Sequence, residues 1–176
     1  MAKLIRAVAW RKLERPYTRK SKYRKKAFIK APPVNKIVKF EMGDVSGEYQ
    51  FSCQLKSKQD IQIRHNALES ARKSSNRLME KRLGRTGYRF RIRTYPHHVL
   101  RNNPLAAGAG ADRMSTGMKM SFGKTVGLAA RVKTGQIIME IMVNKGNISL
   151  AQNALKRAQH KMPCGCTIDV VDQTKE

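Results

Sequence analysis

The chain has 176 residues, enough for one domain of ordinary size with its own core. Lys and Arg number 37 against 12 Asp and Glu, a net charge of +25; a compact body with that excess repels itself unless a polyanion neutralises it, and nucleic acid is the commonest one. A membrane is a poor alternative partner, because no apolar stretch is long enough to span one, no basic amphipathic helix or lipidation signal stands out, and Arg6 breaks the apolar run of a would-be signal peptide.

Residues 1–30 hold twelve Lys or Arg and one acid, Glu14. The stretch has no sustained helix or strand period and cannot bury enough apolar surface to offset its ordering entropy, so it is expected to be an extended arm that orders only against its partner. Trp10, Tyr17, Tyr23 and Phe28 interleave the cations, and aromatic rings stack on unpaired bases.

Ala31–Pro33 punctuates the chain and opens the globular body, taken as 31–172 with a short tail at 173–176. A strand is predicted over Lys36–Met42, a turn around Gly43–Gly47, and a second strand over Tyr49–Lys56. Leu68, Ala71, Leu78, Met79 and Leu83 then fall on one face at helical spacing, with Arg72, Lys73, Arg77, Lys81 and Arg82 largely elsewhere. This predicts a helix over about 64–83, stopped at Gly84. In the strand predicted over 88–95, Tyr88, Phe90 and Ile92 alternate with Arg89, Arg91 and Arg93. The guanidiniums then share one face, roughly 6.7 Å apart, which is costly unless something anionic lies opposite. Replacing all three is expected to harm attachment to a polyanion more than the fold.

YPHHVL continues as a further strand, and residues 102–118, rich in Gly and Ala without periodicity, form a long internal loop of functional or mobile character. Strands are predicted at about 126–133 and 136–143, joined tightly at Lys133–Gly135; IIMEIMV is apolar nearly throughout, as a strand covered on both faces would be. A second helix is predicted over about 149–162, capped at Asn147 or Ser149 and ended by Pro163, before a closing strand at Cys166–Val171. The architecture is α+β: a mostly antiparallel or mixed sheet with two packed helices and a basic extended arm.

Motifs that resemble chemistry fail on inspection. Phe122–Thr125 ends like a phosphate-binding loop, but five residues, not four, separate Gly117 from Gly123, and VGLAARV reads as strand where that motif needs helix. Gly108–Arg113 resembles a dinucleotide fingerprint with Arg113 in place of the third Gly. His160, Cys164 and Cys166 lack a common zinc spacing, and the three cysteines, Cys53 included, are too few for a disulfide scaffold and suit a reducing cytosol. No acid pair or nucleophile context supports catalysis. An RNA-modifying enzyme gripping a cofactor with the Gly-rich loop, or a DNA-packaging protein, are the rival readings.

RPYTRKS at 15–21, NALESAR at 66–72, YRFRIRTYPHHVLR at 88–101, AGADRMSTGM at 109–118, FGKTVGLAARVKTGQIIMEI at 122–141 and ALKRAQHKMP at 154–163 all resemble one family. It is the universal large-subunit ribosomal protein sixteen family, in the archaeal and eukaryotic form called ribosomal protein ten-e. The likeness runs along nearly the whole chain. It implies an α/β hammerhead-type fold and a place on large-subunit rRNA, between the central protuberance and the stalk base and near the aminoacyl-site tRNA. The partners implied are rRNA, the tRNA acceptor-end region and neighbouring large-subunit proteins, in the cytoplasm, with no membrane, metal, cofactor or small-molecule substrate. The expected rRNA contacts are Arg11, Lys12, Arg15, Tyr17, Arg19, Lys20, Lys22, Arg24, Lys25, Lys26, Arg89, Arg91, Arg93 and Lys124. The expected tRNA-proximal loop includes Asn102, Asn103, Gly108, Gly110, Asp112, Arg113, Met114 and Gly117, with Arg113 as its functional cation. The tail after Asp172 is shorter than eukaryotic tails, which favours an archaeal-type member.

Overall fold

A computed structural model of the chain describes residues 6–13, 22–23, 25, 29, 31–102 and 124–173. Along them run β1 (Glu41–Gly43), β2 (Phe51–Ser57), β3 (Ile61–Arg64), α1 (His65–Leu83), β4 (Arg89–Ile92), β5 (His98–Asn102), β6 (Lys124–Val132), β7 (Ile137–Val143), α2 (Ile148–Gln159) and β8 (Cys166–Asp172). The strands form a five-stranded sheet in the order β1-β4-β7-β2-β8 and a three-stranded sheet in the order β3-β6-β5. Every pairing is antiparallel. The class is α+β, as the sequence predicts, but with two sheets rather than one.

The two sheets are one ribbon folded at a corner. β2 runs into β3, and β6 into β7; Lys56 faces Ile137 before the bend and Ile61 faces Val132 after it, so the register carries through. The Ser57 N–H donates to the Gln136 carbonyl (3.1 Å), and the Gly135 N–H donates to the Ser57 carbonyl (2.8 Å). Asp60 closes the corner from the other chain segment, its Oδ1 accepting from both the backbone N–H (2.7 Å) and the hydroxyl (2.8 Å) of Thr134. Those bonds hold the Asp60 carboxyl below its usual range. Gly135 sits at φ +78°, a conformation that side chains resist. The third member bends too, through Tyr95–Pro96, where proline cannot donate to a ladder; β4 pairs with β7 and β5 with β6.

The apolar face of the larger sheet and both helices share one core. Phe90, Ile141, Cys53 and Leu55 cluster there with Leu68, Ala71 and Met79 of α1 and Ala151, Ala154, Leu155 and Ala158 of α2. The alanines let the helices come close enough for the Ser75 hydroxyl to donate to the Ala154 carbonyl at 2.8 Å. Burial of a side chain the size of Leu155 contributes about 2 kcal/mol. β7 is covered on both faces over Ile138–Ile141, as its composition predicts.

Two expectations are corrected, and one strand was missed. The strand predicted over Lys36–Met42 pairs only as β1, because earlier backbone donors are taken by α1: the Lys36 N–H donates to His65 Nδ1 and the Val38 N–H to Glu69 Oε2, both at 3.4 Å. Burial and the nearby Lys36 and Arg64 charges push His65 down to about 4, so its ring is neutral and can accept. β3 goes unpredicted, since its four residues enter α1 with no glycine or proline between. Arg72, expected on the polar face, is buried, donating to Glu69 at 2.8 and 2.7 Å with Met42 Sδ 3.0 Å away.

Glu69 is held below the ordinary glutamate value of 4.5, chiefly by the hydrogen bond from Arg72. A lowered folded pKa stabilises the protein above the unfolded value and loses that contribution as pH falls through the folded one. Glu69→Ala is expected to cost about 3 kcal/mol in urea unfolding at neutral pH, because Arg72 keeps its buried charge without a partner. The deficit relative to wild type should shrink as pH falls below 4.5.

Candidate nucleic-acid interface

The basic N-terminal segment is tied to the small sheet at two places. At the first, the Gln62 N–H on the free edge of β3 donates to the Arg11 carbonyl (2.9 Å), and Gln62 Nε2 donates to the Lys12 carbonyl (2.7 Å). Gln62 Oε1 is in turn hydrogen-bonded to His98 Nδ1 of β5. Trp10 straddles the sheet: its indole N–H donates to the Arg101 carbonyl on β5 (3.2 Å), while the Arg64 guanidinium lies over its ring, 5.3 Å from the centroid. At the second place, Ile29 is buried with Val99 and Leu128, and the Thr125 hydroxyl donates to the Ala31 carbonyl at 3.4 Å.

Residues 10–12 thus make contacts within the chain, and the Trp10 indole is used in one of them. The anchoring uses backbone carbonyls and apolar side chains, so the Arg11 and Lys12 side chains stay exposed, as do Lys22 and Lys25. Lys22 Nζ rests 5.2 Å from the ring centroid of the exposed Tyr23. Arg15, Tyr17, Arg19, Lys20, Arg24 and Lys26 lie outside the described residues.

The arginine row forms on β4 as the alternation predicts, with Phe90 and Ile92 inward. Its anions, however, come from the same chain. Arg89 and Arg91 reach Glu41 at 3.4 and 2.9 Å, and Arg93 reaches Glu140 at 3.3 Å. Three guanidiniums against two carboxylates leave one net positive charge, so the row needs no outside polyanion to exist. The pairs differ in what they can release. Arg91 is 40% exposed opposite a partly exposed Glu41, and such a pair is worth little. Glu140 is only 4% exposed, so removing Arg93 strands a buried carboxylate. Replacing the whole row is therefore expected to damage the fold as well as the surface, where the sequence alone predicts mainly a loss of attachment.

Sequence reasoning missed the stack at the end of this row. Phe40 and Tyr95 lie with centroids 5.1 Å apart at 22°, and His97 tilts against Tyr95 at 4.5 Å. Tyr95 is 48% exposed beside the exposed Arg93. The signal was present: the period of two that places Arg89, Arg91 and Arg93 continues to Tyr95 and His97.

The Gly-rich loop has described ends. Asn102 and Lys124 face each other across the β5–β6 ladder, so the loop leaves and returns at one point of the small sheet. Lys124 is described in its backbone alone; Asn103, Gly108, Gly110, Asp112, Arg113, Met114 and Gly117 lie outside the described residues. Lys124 opens strand β6, where a phosphate-binding loop would require the start of a helix. Among the described residues, no group of three or more His, Cys, Asp or Glu is placed to hold a metal, and no helix is long and apolar enough to cross a membrane.

The family model described as ribosomal protein L16p/L10e matches residues 18–169, most of the chain. The chain belongs to the ribosomal protein L16p/L10e family. It is similar to proteins named large ribosomal subunit protein uL16: 51% identical to one from Methanococcus maripaludis over 154 residues, 88% of either chain. Identity is 44% to that of Archaeoglobus fulgidus, covering 88% of this chain and 85% of the relative. It is 47% to that of Staphylothermus marinus, covering 84% and 82%. The family is one of ribosomal structural proteins rather than enzymes, so this member is a ribosomal protein whose surface works by binding.

Trp10→Ala is expected to loosen the first anchor without unfolding the domain. Amide exchange reads this directly: protection of the Gln62 N–H should fall at least about tenfold, while core amides of β7 keep theirs.

Proposed function

We propose that this ribosomal protein is a constituent of the large subunit in the cytoplasm, where it binds large-subunit rRNA and supports tRNA positioning. The observation that carries the proposal is the double anchoring of the basic segment. That segment is tied through the Arg11 and Lys12 carbonyls and through Ile29, and the described Arg11, Lys12, Lys22 and Lys25 are exposed. A cationic strap held at both ends has already lost part of its chain entropy, so less is lost when it meets phosphate. Arg11, Lys12, Arg15, Arg19, Lys20, Lys22, Arg24, Lys25, Lys26 and Lys124 supply the charge, and Tyr17 a stacking ring. Arg91 exchanges Glu41 for a phosphate oxygen at small cost, with Arg89 beside it, whereas Arg93 acts mainly as the partner of Glu140. The exposed part of Tyr95 offers RNA an aromatic edge to pack against.

The finer placement is near the aminoacyl-site tRNA and the peptidyl-transferase region, among neighbouring large-subunit proteins. Asn102, Asn103, Gly108, Gly110, Asp112, Arg113, Met114 and Gly117 form the tRNA-proximal loop, with Arg113 as its cation toward the acceptor end. Small residues let backbone pass close to RNA. That the loop starts and finishes on one ladder supports this, because a segment so rooted can be long without disturbing the sheet.

Binding to a large-subunit rRNA fragment should weaken steeply with salt. Replacing Arg11, Lys12, Lys22 and Lys25 with Ala should reduce the log–log salt slope by about 3, at roughly 0.7–0.9 per phosphate contact. An unchanged slope removes the electrostatic account, and equal or tighter binding of duplex DNA in competition favours a packaging role instead.

Excising 102–118 and closing the gap with a short Gly-containing turn should preserve the thermal midpoint and co-sedimentation with large subunits. Translation by the resulting ribosomes should fall. Loss of soluble protein would contradict this.

A further inference from the structure

RNA binding leaves one cluster of reactive side chains without a role. Cys164 and Cys166 flank Gly165 where the chain leaves α2 and enters β8, and their sulfurs lie 3.8 Å apart. Ser57, at the corner of the ribbon, places its hydroxyl 3.6 Å from Cys164 Sγ. The next residue, Lys58, ties its backbone N–H to the Gly165 carbonyl at 3.0 Å. Cys164 is partly exposed, whereas Cys166 is buried behind it. The remaining cysteine, Cys53, is sealed in the core.

These surroundings divide the labour between the two sulfurs. Donation from the Cys166 thiol to a Cys164 thiolate draws Cys164 down, and the Ser57 hydroxyl can turn from the Gln59 carbonyl to donate as well. The same hydrogen bond, with burial, pushes Cys166 up. Cys53 is pushed up to about 11 by burial alone. One accessible sulfur is thus readied as a nucleophile, and the second waits as a protonated thiol within reach of it.

We infer that Cys164 and Cys166 form a thiol–disulfide exchange site for small disulfides, with Cys164 attacking and Cys166 resolving. The Cys164 thiolate attacks one sulfur of R–S–S–R; that S–S bond breaks, one R–S⁻ leaves and takes up a proton, and a mixed disulfide remains on Cys164. Cys166 gives up its proton and attacks Cys164 Sγ, expelling the second R–S⁻, which is protonated in turn. The protein dithiol is oxidised to a Cys164–Cys166 disulfide and R–S–S–R is reduced to two R–SH. The new bond links the connection after α2 to the start of β8, an edge strand of the larger sheet.

The test uses the reduced full-length protein and oxidised glutathione, read by intact mass and peptide mapping after acid quench. The expected product has lost two hydrogens, with the bond mapped to Cys164–Cys166 and Cys53 untouched. Cys166→Ser should stop at a glutathione adduct on Cys164. Competition alkylation of wild type with iodoacetamide, which needs no variant to fold, should label Cys164 at least about tenfold faster than Cys53. A stable glutathione adduct on wild type with no internal bond overturns the proposal. So does labelling of Cys53 as fast as Cys164, or Cys164→Ser forming disulfide-exchange products at the wild-type rate.

Discussion

One corner governs this molecule: the paired hydrogen bonds between Ser57 and the Gly135–Gln136 turn, closed by Asp60 on Thr134. Were the ribbon to run straight, β2 with β3 and β6 with β7 would make strands too long for one twisted sheet to cover. Bending at that point splits the ribbon into a wide sheet that receives both helices and a narrow sheet that does not need them in full. The narrow sheet keeps an open edge at β3, and that edge takes the Arg11 carbonyl.

The same bend separates stability from binding. Large apolar side chains gather under α1 and α2, where Tyr88, Phe90, Leu55, Met139, Ile141 and Leu155 are almost wholly excluded from water. The narrow sheet adds Ile61, Ile63 and Val132 to that core and places small residues, Gly127, Ala129 and Ala130, along β6; a Cβ on Gly127 would stand 3.2 Å from His65 Nε2. It carries both anchors of the basic segment and both roots of the Gly-rich loop. Residues 1–30 carry part of the excess positive charge, and within the body some cations find carboxylates: Arg72 with Glu69, Lys56 with Asp169, Arg93 with Glu140.

Those internal pairs mark where reading by residue type misleads. An alternation such as YRFRIR specifies which face each side chain takes, and Phe90 and Ile92 are inward as expected. It carries nothing about which strand lies alongside, so the carboxylates of Glu41 and Glu140, 48 and 47 positions away from their partners, could not be paired with the row. Arg72 failed for a similar reason: helical periodicity sorts by hydrophobicity, and a salt-bridged arginine is buried by its partner rather than by its own polarity. The anchored segment was hidden because Trp10 meets Arg101, and the Arg11 and Lys12 carbonyls meet Gln62, across a fold that local propensity does not encode.

From its own letters the chain determined its excess charge, its α+β class, the helix at 65–83, the doubly covered strand at 137–143 and its family, because periodicity, composition and motif order are local or cumulative properties. Tertiary structure alone decided that one ribbon makes two sheets, that the arginine row meets carboxylates of its own chain, and that the basic segment is strapped down at both ends. Each of these depends on groups distant in sequence coming within a few ångströms, and hydrogen bonds and ion pairs acquire their energy only at that range.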